Sequence, residues 1–414
     1  MIIRKIPTPF NISFYFLIVL YTVESLMPFE SINGSSSVAK ALLLLVYLVL
    51  AIVGNNLIPK SLSNNISKLP NNRTFNLIRI FTFLGPIFLL VDRIYSRGID
   101  FSLGITSMRQ TMIRESSGGI SSFFSVSGYL GSAMAFLLLT RLIIFTNNQS
   151  KKTNIIDAVL IFYSVIGVSI LTGGRSTIFI LFGFLYASFY CKINLFKNKI
   201  IIKTKQLFYF ILMLSFIIYY VNYIFQDRAT LSNIDAKDYY SSIIYHLKGK
   251  EKSNVNLNDK SDFYIYSQLT MAYFIHQLWV LELSLDLNEN LKKGDSTFIL
   301  WKTILSKTGL IEKPEKWFYS GLYTPLIGTY IYSYGLFFGI MFFLLFMWTI
   351  FIIIGNLIRK SHSFINLFLF NLGSFVLIFS VMLPSTEVLM IPIICITLVF
   401  IYPIFKFISR FRLI

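Results

Sequence analysis

Apolar residues gather in long runs along this chain, separated by short polar connections. Such runs lie near Pro9 to Leu26, Val38 to Ile58, Asn76 to Val91, Phe123 to Phe145, Ile155 to Leu171, Ser176 to Tyr190, Leu207 to Phe225, Tyr330 to Ile354, Phe364 to Met382 and Val388 to Phe405. A helix rises about 1.5 Å per residue, so roughly 17 to 25 apolar residues cross the hydrocarbon core of a bilayer. The pattern therefore predicts an all-α polytopic membrane protein with about ten spans.

Two connections break the short rhythm, one from Asp92 to about Ser122 and one from Asp227 to about Ser320. The second is too long to remain without structure and is expected to fold as a subdomain or cap. The chain then divides into N-terminal spans over 1–226 with a loop at 92–122, a large loop at 227–320, and C-terminal spans over 321–414. Within the large loop, Phe263 to Leu281 is uncharged but carries Ser267, Gln268, His276 and Gln277. It reads as an amphipathic or re-entrant helix lying against the membrane surface. A second helix is expected after Asp295, Ser296 and Thr297, residue types that favour a helix start. The stretch Tyr323 to Ser333 is expected to be an interfacial helix or a bent entry into the next span.

Composition agrees: 55% of the residues are hydrophobic and only 14% charged, where soluble proteins average about 25% charged. Charge fixes the orientation. Six connections hold Arg4 and Lys5; Lys60, Lys68, Arg73 and Arg79; Arg141, Lys151 and Lys152; Lys192, Lys197, Lys199, Lys203 and Lys205; Arg359 and Lys360; Lys406, Arg410 and Arg412. These 19 cations leave 18 basic against 19 acidic residues elsewhere, so the net +18 is a topology signal and not a nucleic-acid surface. The six lie at alternate connections, which places both termini in the cytoplasm and the two long loops outside it. The first run follows Arg4 and Lys5 without a clear small-residue cleavage site and reads as an uncleaved helix. Cys191 and Cys395 sit at or within spans and support neither a disulfide framework nor a cysteine metal site.

The sharpest local motif is Leu171-Thr172-Gly173-Gly174-Arg175-Ser176-Thr177, between two spans on the extracytoplasmic side. Two glycines permit a tight turn. Arg175 then sits at a positive helix end, an unfavourable place that a bound anion such as phosphate would compensate; otherwise it is an arginine snorkelling to the interface. Arg93, Arg97, Arg109, Arg114 and Arg228 lie near span ends or in the shorter loop. Their planar forks suit paired contacts to phosphate oxygens, with ordinary ion pairing to Asp92, Asp100, Glu115 and Asp227 as the plainer alternative. Candidate bases are His276, Asp227, Glu387, His246 and Glu282. Asp157 reads as a helix-start charge, and the span interiors read as almost free of charge.

This plan resembles the O-antigen polymerase (Wzy) group, the oligosaccharide repeat-unit polymerases of bacterial surface polysaccharide assembly. The resemblance rests on the span number, two enlarged loops with arginines in or beside them, the Gly-Gly-Arg-Ser turn at 173–176, Thr329-Tyr330-Ile331-Tyr332 followed by Gly335, and an approximate Arg109 to Gly119 spacing. It implies a GT-C-like membrane glycosyltransferase of the bacterial inner membrane with periplasmic main loops. The implied reaction moves a growing glycan from undecaprenyl diphosphate onto the next lipid-linked repeat unit by inverting, metal-independent transfer, without a cofactor. Under it Arg175 and Arg109, together with Arg93, Arg97 or Arg228 and the turn glycines Gly173 and Gly174, would face the diphosphate. His276, Asp227 or Glu387 would supply the base. Its implied partners are the lipid-linked oligosaccharide, membrane lipids and a chain-length regulator protein, with no nucleic acid. The alternatives are an O-antigen ligase and a lipid-linked oligosaccharide flippase, the second expected to carry more charge inside its spans.

Overall fold

The computed structural model describes residues 2–3, 5–33, 37–60, 71–99, 122–146, 149–172, 176–197, 200–201, 215, 219, 221–230, 233–252, 260–285, 297–306, 309–314, 324–382 and 388–409. It is an all-α polytopic membrane protein, about 81% helical. Among the described residues, seven helices are long and apolar enough to cross a membrane: Pro9–Leu26, Asn72–Ser96, Phe123–Ile144, Lys151–Thr172, Thr177–Leu195, Leu336–Lys360 and Met390–Ile408. Val38–Gly54 and Phe364–Phe379 are apolar but shorter. Most of the expected span from Leu207 to Phe225 lies outside the described residues.

In chain order the helices are α1 (Pro9–Leu26), α2 (Ser37–Gly54), α3 (Asn72–Val91), α4 (Phe123–Ile144), α5 (Lys151–Thr172), α6 (Ser176–Tyr190), α7 (Ala236–His246), α8 (Asp262–Leu285), α9 (Ile299–Ser306), α10 (Leu326–Tyr334), α11 (Leu336–Lys360), α12 (Phe364–Phe379), α13 (Met390–Ile396) and α14 (Tyr402–Ile408). Single π-helical turns extend α3 over Asp92–Ser96 and α6 over Cys191–Leu195, and join α13 to α14 over Thr397–Ile401. Two short antiparallel ladders tie distant segments. β1 (Ile2–Ile3) pairs with β3 (Ile200–Ile201), and β2 (Phe29–Ser31) with β4 (Gly249–Glu251). Each joins two segments to which the charge rule gives the same side. Below, the basic end is the one holding β1 and the loop end the one holding β2.

Apolar side chains gain little from leaving lipid for protein, so close backbone packing and polar ties hold such helices together. At the α3–α4 contact a Cβ on Gly131 would stand 2.5 Å from the Phe81 carbonyl oxygen and one on Gly85 2.5 Å from the Ser132 nitrogen. The two helices therefore meet backbone to backbone. On α12, buried Asn371 donates from Nδ2 to Thr140 of α4 at 3.0 Å and to Ser188 of α6 at 2.7 Å.

Charge enters the bundle more deeply than the sequence suggests. Asp157 is fully buried, 2.6 Å from Arg79 Nε and 3.5 Å from Arg141 Nη1. The Arg141 guanidinium lies over the Phe75 ring at 4.1 Å and donates to Asn72 at 3.3 Å. Asp157 is thus the shared anion of α3, α4 and α5, not a free helix-start charge. Arg79 and Arg141, though counted as cations of the basic side, are its partners.

In the large loop α8 is buried in protein over its second half, from Ile275 to Leu283, and exposes Phe263 at its start. Its Ser267 and Thr270 are met by protein. Thr270 donates to Asn222 Oδ1 at 2.6 Å, and Asn222 Nδ2 donates to Ser267 at 3.0 Å. The helix expected after Thr297 is α9. The stretch expected as an interfacial helix or a bent entry into the next span is α10, buried from Leu326 to Ser333. Gly335, at φ 78°, reverses the chain, so α10 runs back along α11. A Cβ on Gly339 would stand 2.5 Å from Ile331 Cα, and Tyr330 packs its ring against Phe343 and Phe346. The Leu326 amide then donates to the Ser380 carbonyl at the end of α12, at 2.7 Å.

Candidate functional site

At the loop end α3 stops in a cluster of charge. Asp92 is fully buried and accepts from Arg93 Nη1 at 2.9 Å and Arg97 Nε at 3.0 Å, while its other oxygen accepts from the Ser122 hydroxyl. Ser122 also caps α4, accepting from the Ser125 amide at 3.0 Å. Arg93 uses its whole fork: Nε donates to the Leu171 carbonyl at 3.2 Å and Nη2 to the Tyr129 hydroxyl at 3.4 Å. Leu171 lies in the last turn of α5, where carbonyls lack helical partners and a cation is favoured. The end of α3 therefore holds the entrance to the Gly-Gly-Arg turn.

The exit of that turn meets the large loop. Phe179, one turn into α6, packs edge-on against Phe274 of α8 at 5.6 Å and against Phe379 of α12 at 6.0 Å. Two residues beyond Phe274, His276 is buried, its Nδ1 2.9 Å from the Tyr273 carbonyl oxygen. Burial pushes its imidazole down to about 4, outweighing the backbone bonds at Tyr273 and Ala272 that favour the proton. Tyr273 contacts Phe225 at 5.2 Å, on the helical stretch 221–230 that carries Asp227 and Arg228. Both of these are half-buried and engaged with other groups.

Arg93 and Arg97 thus share Asp92 at the end of α3, while His276 lies on α8 and Asp227 and Arg228 on the stretch that packs against α8 through Phe225. Arg93 is consumed by protein contacts, whereas the Arg97 side chain keeps 19% of its exposure. Arg109, Arg175, Gly173, Gly174, Gly119, Arg114 and Glu387 lie outside the described residues. His246 is exposed at the end of α7, and Glu282 is buried on α8 with other groups around it.

One constellation was missed from the sequence. Glu24, in α1, is buried; Lys40 of α2 stands 2.7 Å from its Oε2, and Trp279 of α8 donates to its Oε1 at 2.9 Å. Lys252 Nζ adds donors to the Glu24 and Ser25 carbonyls at 3.3 and 3.1 Å. The signal was present, because a carboxylate inside an apolar run needs a partner.

The chain matches no family model, no curated protein and no solved structure.

Proposed function

We propose that this protein is a membrane glycosyltransferase of the O-antigen polymerase type, acting on undecaprenyl-diphosphate-linked glycans at the periplasmic face of a bacterial inner membrane. The observation that supports the reading is the packing on either side of the Gly-Gly-Arg motif. The end of α3 grips the entry to the Gly-Gly-Arg turn through Arg93, and α8, with His276, packs on the helix that leaves it. In this reading an acceptor hydroxyl oxygen attacks the anomeric carbon of the growing glycan. The anomeric carbon–oxygen bond breaks, and the lipid diphosphate leaves with the electron pair. Arg97, Arg175 and Arg109 neutralise the departing charge, a stabilisation that matters most where water is scarce. His276 or Asp227 takes the hydroxyl proton, and a neutral imidazole suits that task. Arg93 is a positioning residue.

The test is the polysaccharide profile of a strain that makes smooth lipopolysaccharide through this protein. Deletion is expected to leave core bearing one repeat unit, and Arg175→Ala the same band with protein still at normal level in the membrane. Bare core would point to ligation or flipping instead. Normal long chains in the variant would remove Arg175 from the mechanism.

A further inference from the structure

The opposite end of the bundle holds a cavity that the polymerase reading does not use. It encloses about 590 Å³ between the start of α1, the chain just past α2 and the π turn after α6. Lys5, Lys60 and Lys197 line it, and no aspartate or glutamate is among its lining residues. All three lysines are exposed. Elsewhere lysines meet carboxylates: Lys40 pairs with Glu24, and Lys250 stands 3.5 Å from Glu30. Three like charges around one hollow repel each other unless an anion sits between them.

The wall between the lysines is built and polar. Asn194 clamps the chain at Ile6, accepting from its amide at 3.1 Å and donating to its carbonyl at 2.7 Å. Asn55 donates to Asn11 at 2.7 Å and accepts from the Thr8 hydroxyl. These bonds fix three chain segments relative to one another, so the lysine stems start from set positions. Lys197 holds a left-handed backbone at φ 53°, which glycine takes more readily at a helix end. Ile58 and Tyr190 give the cavity an apolar floor at the foot of the spans.

We propose that this cavity binds a phosphate-bearing anion through Lys5, Lys60 and Lys197. The apolar floor and the position at span ends favour the headgroup of an anionic phospholipid; a soluble polyphosphate would offer the same chemistry. The site is independent of the glycosyl-transfer reading, since its lining residues share none of the residues placed there.

Full-length protein, purified in detergent and stripped of lipid, is measured by native mass spectrometry and thermal unfolding. The probes are phosphatidylglycerol, phosphatidylcholine and inorganic pyrophosphate. Two triple variants are compared, Lys5→Gln/Lys60→Gln/Lys197→Gln and a charge-matched control on exposed residues, Lys151→Gln/Lys152→Gln/Lys406→Gln. Wild type and control are expected to retain phosphatidylglycerol over phosphatidylcholine by about tenfold or more, and the cavity variant to lose that preference, the loss following the three cavity lysines and not the number of charges removed. If pyrophosphate alone binds, with the same dependence on the cavity lysines, the phosphate site stands and its source is soluble. Equal loss in both triple variants, or no preference in wild type for either phosphate-bearing anion, overturns the proposal.

Discussion

Arg93 Nε donates to the carbonyl of Leu171 across 78 positions of sequence, at 3.2 Å. The contact places an arginine at the negative end of α5, and Asp92, itself held by Arg97 and Ser122, keeps that arginine in place. The last turn of α5, just before the Gly-Gly-Arg motif, is thus fixed by a neighbouring helix.

Arg93→Met removes that hold and strips one partner from buried Asp92. Breaking a buried ion pair costs about 3 to 5 kcal/mol, here reduced because Arg97 and Ser122 remain. Purified protein is expected to unfold a few degrees earlier. Arg93→Lys should fall between the two, since an ammonium cannot serve three acceptors in a plane. An unchanged midpoint for both would show that Arg93 holds nothing.

The Asp157 cluster predicts strong coupling. Asp157→Asn leaves Arg79 and buried Arg141 without their anion and should destabilise by about 3 kcal/mol or more. Adding Arg141→Gln should cost less than it does alone, with a coupling of about 1 to 3 kcal/mol in a thermal double-mutant cycle. Strict additivity of the two changes would contradict the shared ion pair.

His276 makes stability depend on pH with a definite sign. Its folded value of about 4 lies below the ordinary 6.5, so between these limits the unfolded chain binds a proton that the fold does not. Stability is then full above the ordinary value and falls with acidification, by up to about 1.4 kcal/mol per pH unit, until the folded value is reached. His276→Gln should flatten this acid limb in unfolding midpoints measured from neutral to about pH 4.5. The same slope in both proteins would assign it to other groups.

Gly131→Ala tests the backbone contact of α3 with α4. The added Cβ meets a main-chain oxygen, which cannot swing aside like a side chain. Separating the helices should cost about 1 to 3 kcal/mol, whereas Val126→Ala on the exposed face of α4 should leave the unfolding midpoint where it was.

Periodicity and composition were enough for the apolar helices, because span length is set by the bilayer and needs no knowledge of neighbours. The Gly-Gly-Arg motif stands out between apolar runs in the sequence, and its residues 173–175 lie outside the described ones. Burial of charge was not visible. Arg79 and Arg141 look like solvated cations until Asp157, on another helix, comes within reach. The protein contacts of Ser267 and Thr270 of α8 were not visible either, because Asn222, which satisfies them, lies far back in the sequence. The contacts of Arg93 with Leu171 and of Phe179 with Phe274 depend on which helices adjoin, which local patterns do not state.

The Leu326 amide bonds to a carbonyl at Ser380, so α10 cannot lock until the whole hairpin of α11 and α12 has been made and inserted. Synthesis therefore delivers the large loop well before its anchor exists. A chain stopped short of Ser380 would contain both α8 and α10 but lack the carbonyl that the Leu326 amide takes.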